Sequence, residues 1–280
     1  MEKVKAFHVC GEESFLIGAD KMTLIGGPCS IEGFGMCDEV ASEVKSICDK
    51  LNINYVFKGS FDKANRSSLH AGRGAGMGKG LQILNDIKEK YQIPVTTDVH
   101  ECWQCAEAAG VADILQIPAY LCRQTDLILS SARTGKAVNI KKGQFMAPWN
   151  MDNVVEKMLS CGNEKIILCE RGTTFGYNRL VVDMQGLAGM RRLGFPVFLD
   201  ATHSVQQPGS SREFTSGSRD FVPHLMNAGL AVGVDGIFAE IHPDPDHAVS
   251  DGPSQLRLSD VEKILRRAVR YDRLTRGMGD

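Results

Sequence analysis

The sequence carries no excess charge, no long apolar run, no Pro-rich or Gly/Ser-rich linker and few aromatics, 7% of 280 residues with only two Trp. Lys+Arg number 32 against Asp+Glu 34, a formal net charge of −2 at pH 7. No overall basic field exists to hold nucleic acid or an anionic membrane, so any anion site must be local. No stretch reaches the roughly 18 apolar residues of a membrane span. The start, MEKVKAFHVC, is charged where a signal peptide has an apolar region. The expected location is the cytoplasm, where the nine cysteines, an odd number scattered from Cys10 to Cys169, are expected to be reduced and mostly buried.

What is present is the composition of a core-forming protein, 43% hydrophobic and 24% charged. Eight short runs, nearly continuous in apolar residues, punctuate the chain: Met22–Gly26, Tyr55–Lys58, Pro94–Asp98, Ile114–Ile117, Ala137–Ile140, Lys165–Cys169, Val197–Asp200 and Gly236–Glu240. Continuous rather than alternating runs are the pattern of parallel strands covered on both faces. Candidate helices follow each of them, over 37–51, 80–91, 101–109, 123–134, 151–160, 184–193, 218–228 and 259–271. Eight strands each followed by a helix predict an α/β fold, a closed (β/α)8 TIM barrel. The expected organisation is one barrel domain over 1–280, with residues 1–21 forming a short N-terminal β-hairpin that caps the barrel bottom. Gly110 and Gly229 are read as lying just past helix ends, and Pro94 and Pro196 just before strands.

In a parallel barrel the chemistry gathers where the strands end, and here those ends are polar. Cys29 follows the first run, Lys58 ends the second, Asp98 and His100 the third. Gln116 belongs to the fourth, Lys141 and Lys142 to the fifth, Glu170 and Arg171 to the sixth, His203 to the seventh and Glu240 to the eighth. Pointed inward, Lys58, Lys63, Arg66, Lys141 and Arg171 would form a cationic mouth for small ligands with several negative charges. Closure makes the eighth strand a neighbour of the first and seventh, so Cys29, His203 and Glu240 come from adjacent strands, with Asp251 on the following loop. A thiolate, an imidazole and carboxylates suit a divalent metal ion of the zinc, iron or manganese class. The Cys102/Cys105 pair opens a helix with no second pair for zinc, and structural burial is the favoured reading over redox chemistry. The Gly-rich stretch 70–80 lies too far after its strand for a dinucleotide fingerprint. His242 and His247 are read as exposed loop residues.

Several segments resemble one family, the 3-deoxy-D-manno-octulosonate 8-phosphate (KDO8P) synthases. They are FKGSFDKANRSS (57–68), TTDVHE (96–101), LQIPAYLCRQTDL (115–127), NIKKGQFMAPW (139–149), ERGTTFGYNRLVVDM (170–184), DATHSVQQPG (200–209) and FAEIHPDPDHAVSDGPSQL (238–256), in family order over nearly the whole chain. KANRSS separates these enzymes from related synthases that use erythrose 4-phosphate. The resemblance implies condensation of phosphoenolpyruvate with D-arabinose 5-phosphate and water, giving KDO8P and inorganic phosphate, a step toward lipopolysaccharide in Gram-negative envelopes or cell-wall polysaccharide in plants. It implies that Lys141 and Arg171 hold the phosphoenolpyruvate phosphate, and that Lys58, Ser60, Lys63 and Gln116 surround its carboxylate and reacting end. Asn65 would contact the sugar, and Arg66 and Ser67 would bind the arabinose 5-phosphate phosphate across a subunit boundary of a homotetramer. Cys29, where the metal-independent branch has Asn, implies the metal-dependent branch, with Cys29, His203, Glu240 and Asp251 as ligands. Gln255 fits that branch, whereas Gly252 and Pro253 are common in the other.

Lys63 is the expected proton donor to the developing alkoxide, with Asp98, His203 or a metal-bound water handling the proton of water. Three alternatives stand beside this reading. One is a related phosphoenolpyruvate–aldose synthase with erythrose 4-phosphate as acceptor, another a Schiff-base aldolase using Lys58 or Lys141, and the third a non-catalytic sugar-phosphate or metal binder. The Gly-, Ser- and Pro-rich loops 204–217 and 241–258 are expected to act as lids.

Overall fold

The computed structural model describes residues 2–11, 14–64, 72–176, 178–208 and 216–277. The eight apolar runs form β3 (Thr23–Gly27), β4 (Asn54–Lys58), β5 (Val95–Asp98), β6 (Ile114–Ile117), β7 (Ala137–Lys141), β8 (Ile166–Glu170), β11 (Val197–Asp200) and β14 (Gly236–His242). Each is buried along its whole length, which is why none alternates in polarity. The strands pair in parallel in chain order, and β14 pairs with both β3 and β11, closing the barrel. The helices α1 (Phe34–Leu51), α2 (Met77–Tyr91), α3 (Cys102–Ala109), α4 (Thr125–Arg133), α5 (Asp152–Leu159), α6 (Met184–Arg191), α7 (Val222–Val232) and α8 (Val261–Arg276) ring it. In α1 the buried residues Cys37, Val40, Ala41, Val44, Ile47, Cys48 and Leu51 fall at helical spacing, and Asn52 ends the helix with left-handed φ 56.

Successive side chains of a strand point to opposite faces, and the two faces build two separate cores. One fills the space between strands and helices. The other fills the barrel with Ile25, Val56, Ile114, Ala137, Ile167, Cys169, Phe198 and Phe238, met from beneath by Phe7, Val9 and Ile17. Those last three belong to the expected N-terminal hairpin, an antiparallel pair of β1 (Phe7–His8) and β2 (Leu16–Ile17) that plugs the barrel bottom. The chain's two ends are fastened at this same end. Arg191 donates through Nε and Nη2 to Glu2 O, and Arg276 Nη1 donates to Ala19 O.

Two readings need correction. Gly229 lies inside α7 and Gly233 caps it with φ 105. A Cβ at Gly229 would sit 2.6 Å from Leu199 Cδ2, so glycine is there for close helix–strand approach. His242 is buried in β14, which runs two residues past the barrel to pair with β15 (Leu256–Arg257); His247 is exposed as expected. The loops also carry small hairpins that no apolar run signals, β9 (Thr173–Gly176) with β10 (Arg179–Val181) and β12 (Gln206–Gln207) with β13 (Ser216–Gly217).

Candidate active site

The inward positions that are apolar low in the barrel turn polar one layer higher. Lys58, Asp98, Gln116, Asn139, Lys141, Asp200 and Glu240 each lie two residues beyond a lower inward position, and all are buried. They form one connected network. Lys58 Nζ donates to Pro28 O (3.1 Å), Cys29 O (2.7 Å) and Glu240 Oε1 (2.9 Å). Lys63 Nζ donates to Ser60 Oγ at 3.0 Å and lies 3.8 Å from Glu240 Oε1, while Ser60 Oγ donates to Asp98 Oδ2 at 3.0 Å. Gln116 Nε2 donates to Asp98 Oδ1 at 2.6 Å, and Asn139 Nδ2 to Gln116 Oε1 at 3.0 Å. Lys141 pairs with Asp200 beside the Phe238 ring, its Nζ 3.5 Å from the ring centre.

Lys142 and Glu170 do not join the mouth as the sequence reading had them. One residue past or short of an inward position, they face the helices, where Lys142 Nζ donates to Gly143 O, Met146 O and Thr173 Oγ1 and lies 3.4 Å from Glu170 Oε1. That pair holds the strand ends together, with Glu170 Oε1 accepting from the backbone of Arg171 and Gly172. Arg171 is buried, and its Nη2 donates to Gln206 Oε1 at 2.7 Å while Nη1 has no hydrogen-bond partner among the described residues. A buried guanidinium with an open donor is a site for an anion.

Charge balance is local. Burial disfavours the Asp98 carboxylate, yet Lys63, Lys58, His100 and Lys141 outweigh it and hold the carboxyl down to about 2. Burial likewise opposes ionised Asp200 and Glu240, and facing cations keep both well below the usual carboxylate range. Burial works against the Lys63 ammonium, but Cys29, Glu240, Asp98 and Asp251 around it raise its pKa.

Cys29, Glu240 and Asp251 bring one ligand atom each within 4.8 Å of one another. Cys29 Sγ donates to Asp251 Oδ2 at 3.2 Å, and its backbone N donates to Gln255 Oε1 at 3.2 Å. Burial and the neighbouring carboxylates push the Cys29 thiol well up, so metal uptake here displaces a proton. His203 stands beside this group rather than in it, with Nε2 3.7 Å from Glu240 Oε1 and Nδ1 2.7 Å from Asp200 Oδ2. Glu240 Oε2 is buried without a hydrogen-bond partner among the described residues. A thiol, two carboxylates and an imidazole, one oxygen of them orphaned, fit a divalent ion of the zinc, iron or manganese class. Asp251 adopts φ 51, and a Cβ on the next residue, Gly252, would sit 2.3 Å from Pro245 O, so this loop requires its glycine whatever the ion.

Asn65, Arg66 and Ser67 lie outside the described residues, as does part of the 204–217 loop. Among the described residues, sequence reasoning missed three members of the site. Asn139 and Asp200 could have been found from their inward parity, whereas Gln206 gives no local signal. Of the Cys102/Cys105 pair, Cys102 is exposed and Cys105 is buried beside Ser131, where burial raises its pKa, the opposite of the activation that thiol chemistry needs.

Fold and site together define a barrel enzyme for small anionic substrates. The chain belongs to the DAHP synthetase I family, which it matches over residues 6–275. Within that family it is similar to proteins named 2-dehydro-3-deoxyphosphooctonate aldolase, another name for KDO8P synthase. One from Fusobacterium nucleatum is 58% identical over 261 residues, covering 93% of this chain and 94% of that protein. One from a Cyanothece strain is 54% identical over 242 residues, 86% and 89% of the two chains. A third, from Nitrobacter winogradskyi, is 51% identical over 277 residues, 98% and 96% of the two chains.

Proposed function

We propose that this protein condenses phosphoenolpyruvate with D-arabinose 5-phosphate and water to give KDO8P and inorganic phosphate, with a divalent metal held by Cys29, His203, Glu240 and Asp251. The observation that carries the reading is the buried, partly unpaired Arg171 facing a mouth that also holds Lys58, Lys63 and Lys141. Arg171 and Lys141, on neighbouring strand ends, take the phosphoenolpyruvate phosphate. Lys58, Ser60, Lys63 and Gln116 hold its carboxylate and reacting end, and Asn65, Arg66 and Ser67 hold the sugar phosphate.

The methylene carbon of phosphoenolpyruvate is a weak nucleophile, and fixing both anions at near-attack distance supplies much of the acceleration. As it bonds to the aldehyde carbon, Lys63 delivers a proton to the developing alkoxide. Water adds to the cationic central carbon, and the resulting hemiketal phosphate loses inorganic phosphate by carbon–oxygen cleavage. A carboxyl held down to about 2 makes Asp98 a weak base, so its part is to orient Ser60 and Gln116. His203 Nδ1 lies 2.7 Å from Asp200 Oδ2, and Nε2, 3.7 Å from Glu240 Oε1, is the nitrogen turned to the metal ligands, where it would serve either the metal or the proton of water. A bound divalent ion supplies Lewis-acid polarisation and a template for the aldehyde. Schiff-base chemistry is disfavoured, because Lys58 and Lys141 are both committed to buried ion pairs.

We also infer a cytoplasmic homotetramer feeding lipopolysaccharide synthesis. No helix of the described residues is long and apolar enough to cross a membrane. Tyr120, Phe145, Trp149 and Phe175, all exposed and all on loops that follow strands, support a protein interface near the mouth. The reading is tested by phosphate release from phosphoenolpyruvate with arabinose 5-phosphate, against erythrose 4-phosphate, before chelation, after it, and after return of manganese or zinc. Loss and recovery with the five-carbon sugar alone is the expected result. Activity that survives metal-verified chelation removes the metal, and no release with either sugar sinks the substrate assignment.

A further inference from the structure

Gln206 joins the two halves of the site. Its Oε1 accepts from Arg171 Nη2 at 2.7 Å, and its Nε2 donates to Asp251 Oδ1 at 3.1 Å. A guanidinium can only donate and a carboxylate can only accept, so a carboxamide between them fits in one orientation. Asp251 therefore divides its oxygens: Oδ1 takes the amide, and Oδ2 takes Cys29 Sγ at 3.2 Å and Ser250 Oγ at 3.1 Å. Gln206 is buried, so this bridge is not an incidental surface contact.

The two loops that carry Gln206 and Asp251 are fastened at a second place. Gln206–Gln207 pairs with Ser216–Gly217, and a Cβ on Gly217 would lie 3.0 Å from Ser254 Cβ. Arg219 then donates from its backbone to Pro253 O at 3.1 Å, and through Nη2 to Gly252 O at 2.9 Å and Asp246 Oδ1 at 2.7 Å. Asp251 itself holds a left-handed backbone, φ 51, and its carbonyl accepts from the backbone N of Ser254 at 3.0 Å and of Gln255 at 3.3 Å.

We propose that Gln206 is a positioning residue that couples anion occupancy at Arg171 to metal occupancy at Asp251. The inference rests on the phosphate and metal roles assigned to those two residues above. An anion on Arg171 Nη1 fixes the guanidinium, the guanidinium fixes the amide, and the amide holds Asp251 Oδ2 toward Cys29. The cost of ordering the bridge falls on whichever ligand binds first, so each ligand favours the other, and the linkage is reciprocal.

The test titrates Mn2+ into metal-stripped protein with and without saturating phosphoenolpyruvate, reading free Mn2+ by electron paramagnetic resonance against protein-free blanks. In the unmodified protein, phosphoenolpyruvate is expected to tighten Mn2+ binding about fivefold or more. Gln206→Met, which keeps the length and removes both hydrogen bonds, is expected to weaken Mn2+ binding alone about tenfold and to bring the phosphoenolpyruvate effect to one. A coupling ratio unchanged in Gln206→Met, or absent from the unmodified protein, overturns the proposal. A second measurement needs neither variant nor metal: phosphoenolpyruvate added to metal-stripped protein should slow hydrogen exchange over residues 250–256, and unchanged exchange with bound phosphoenolpyruvate counts equally against the bridge. Unmodified protein that binds no Mn2+ defeats the metal reading itself, and the exchange measurement then decides the bridge separately.

Discussion

The two ends of the barrel are made by the same strands and the same alternation, yet they do opposite work. At the amino-terminal end, inward positions carry Ile25, Val56, Ile114, Phe198 and Phe238, and the hairpin seals them with Phe7, Val9 and Ile17. One layer up, the inward positions carry Lys58, Asp98, Gln116, Lys141, Asp200 and Glu240, and Glu240 Oε2 and Arg171 Nη1 have no partners among the described residues. The lower layer is satisfied and supplies stability. The upper layer holds buried charge and open bonding positions that a ligand can complete.

The comparison breaks if substitutions at the two ends have similar effects. Largest should be Phe198→Ala, which leaves a cavity in the sealed layer and is expected to cost about 3–5 kcal/mol in urea unfolding, with little change in turnover per folded molecule. Arg171→Met should do the reverse, lowering phosphate release by on the order of a hundredfold or more while Tm stays level or rises. An equal loss of Tm in both variants would erase the distinction.

A smaller effect sharpens it through pH. The Asp98 carboxyl sits at about 2 against an ordinary 3.8, because surrounding lysines outweigh its burial. A depressed folded value contributes stability that is fully present above the unfolded pKa and is lost as pH falls through the folded one, here from about 4 to about 2. The contribution is about 2 kcal/mol. Urea midpoints measured at pH 5 and pH 3 should converge in Asp98→Asn relative to the unmodified protein; an identical pH slope in both would remove Asp98 from the account. Smallest of all, Cys102→Ser, at an exposed position outside both layers, should leave stability within about 0.5 kcal/mol and activity unchanged.

The barrel was legible because strands covered on both faces leave unbroken apolar runs, and the eight runs match the strands to within two residues at each end. Parity was the part read too loosely. Lys141 and Glu170 end their strands and Lys142 and Arg171 follow them, but a single residue's step turns a side chain from the mouth, where Lys141 and Arg171 stand, to the helices, where Lys142 and Glu170 lie. Gly229 looked like a stop signal because a helix interior gives no sequence sign that Leu199 lies against it. Gln206 was out of reach for a different reason: its partners, Arg171 and Asp251, lie 35 and 45 residues away along the chain on separate loops. Loop-to-loop contacts leave no periodicity to read.

The fastening of Glu2 by Arg191 and of Ala19 by Arg276 places Glu2 and the end of α8 beneath the plugged end. That gives the molecule a handle side and a working side. An affinity tag, a fluorescent fusion or a surface linker at either terminus would hold the protein by its base and leave the mouth facing outward, so immobilised enzyme should keep open access for both substrates.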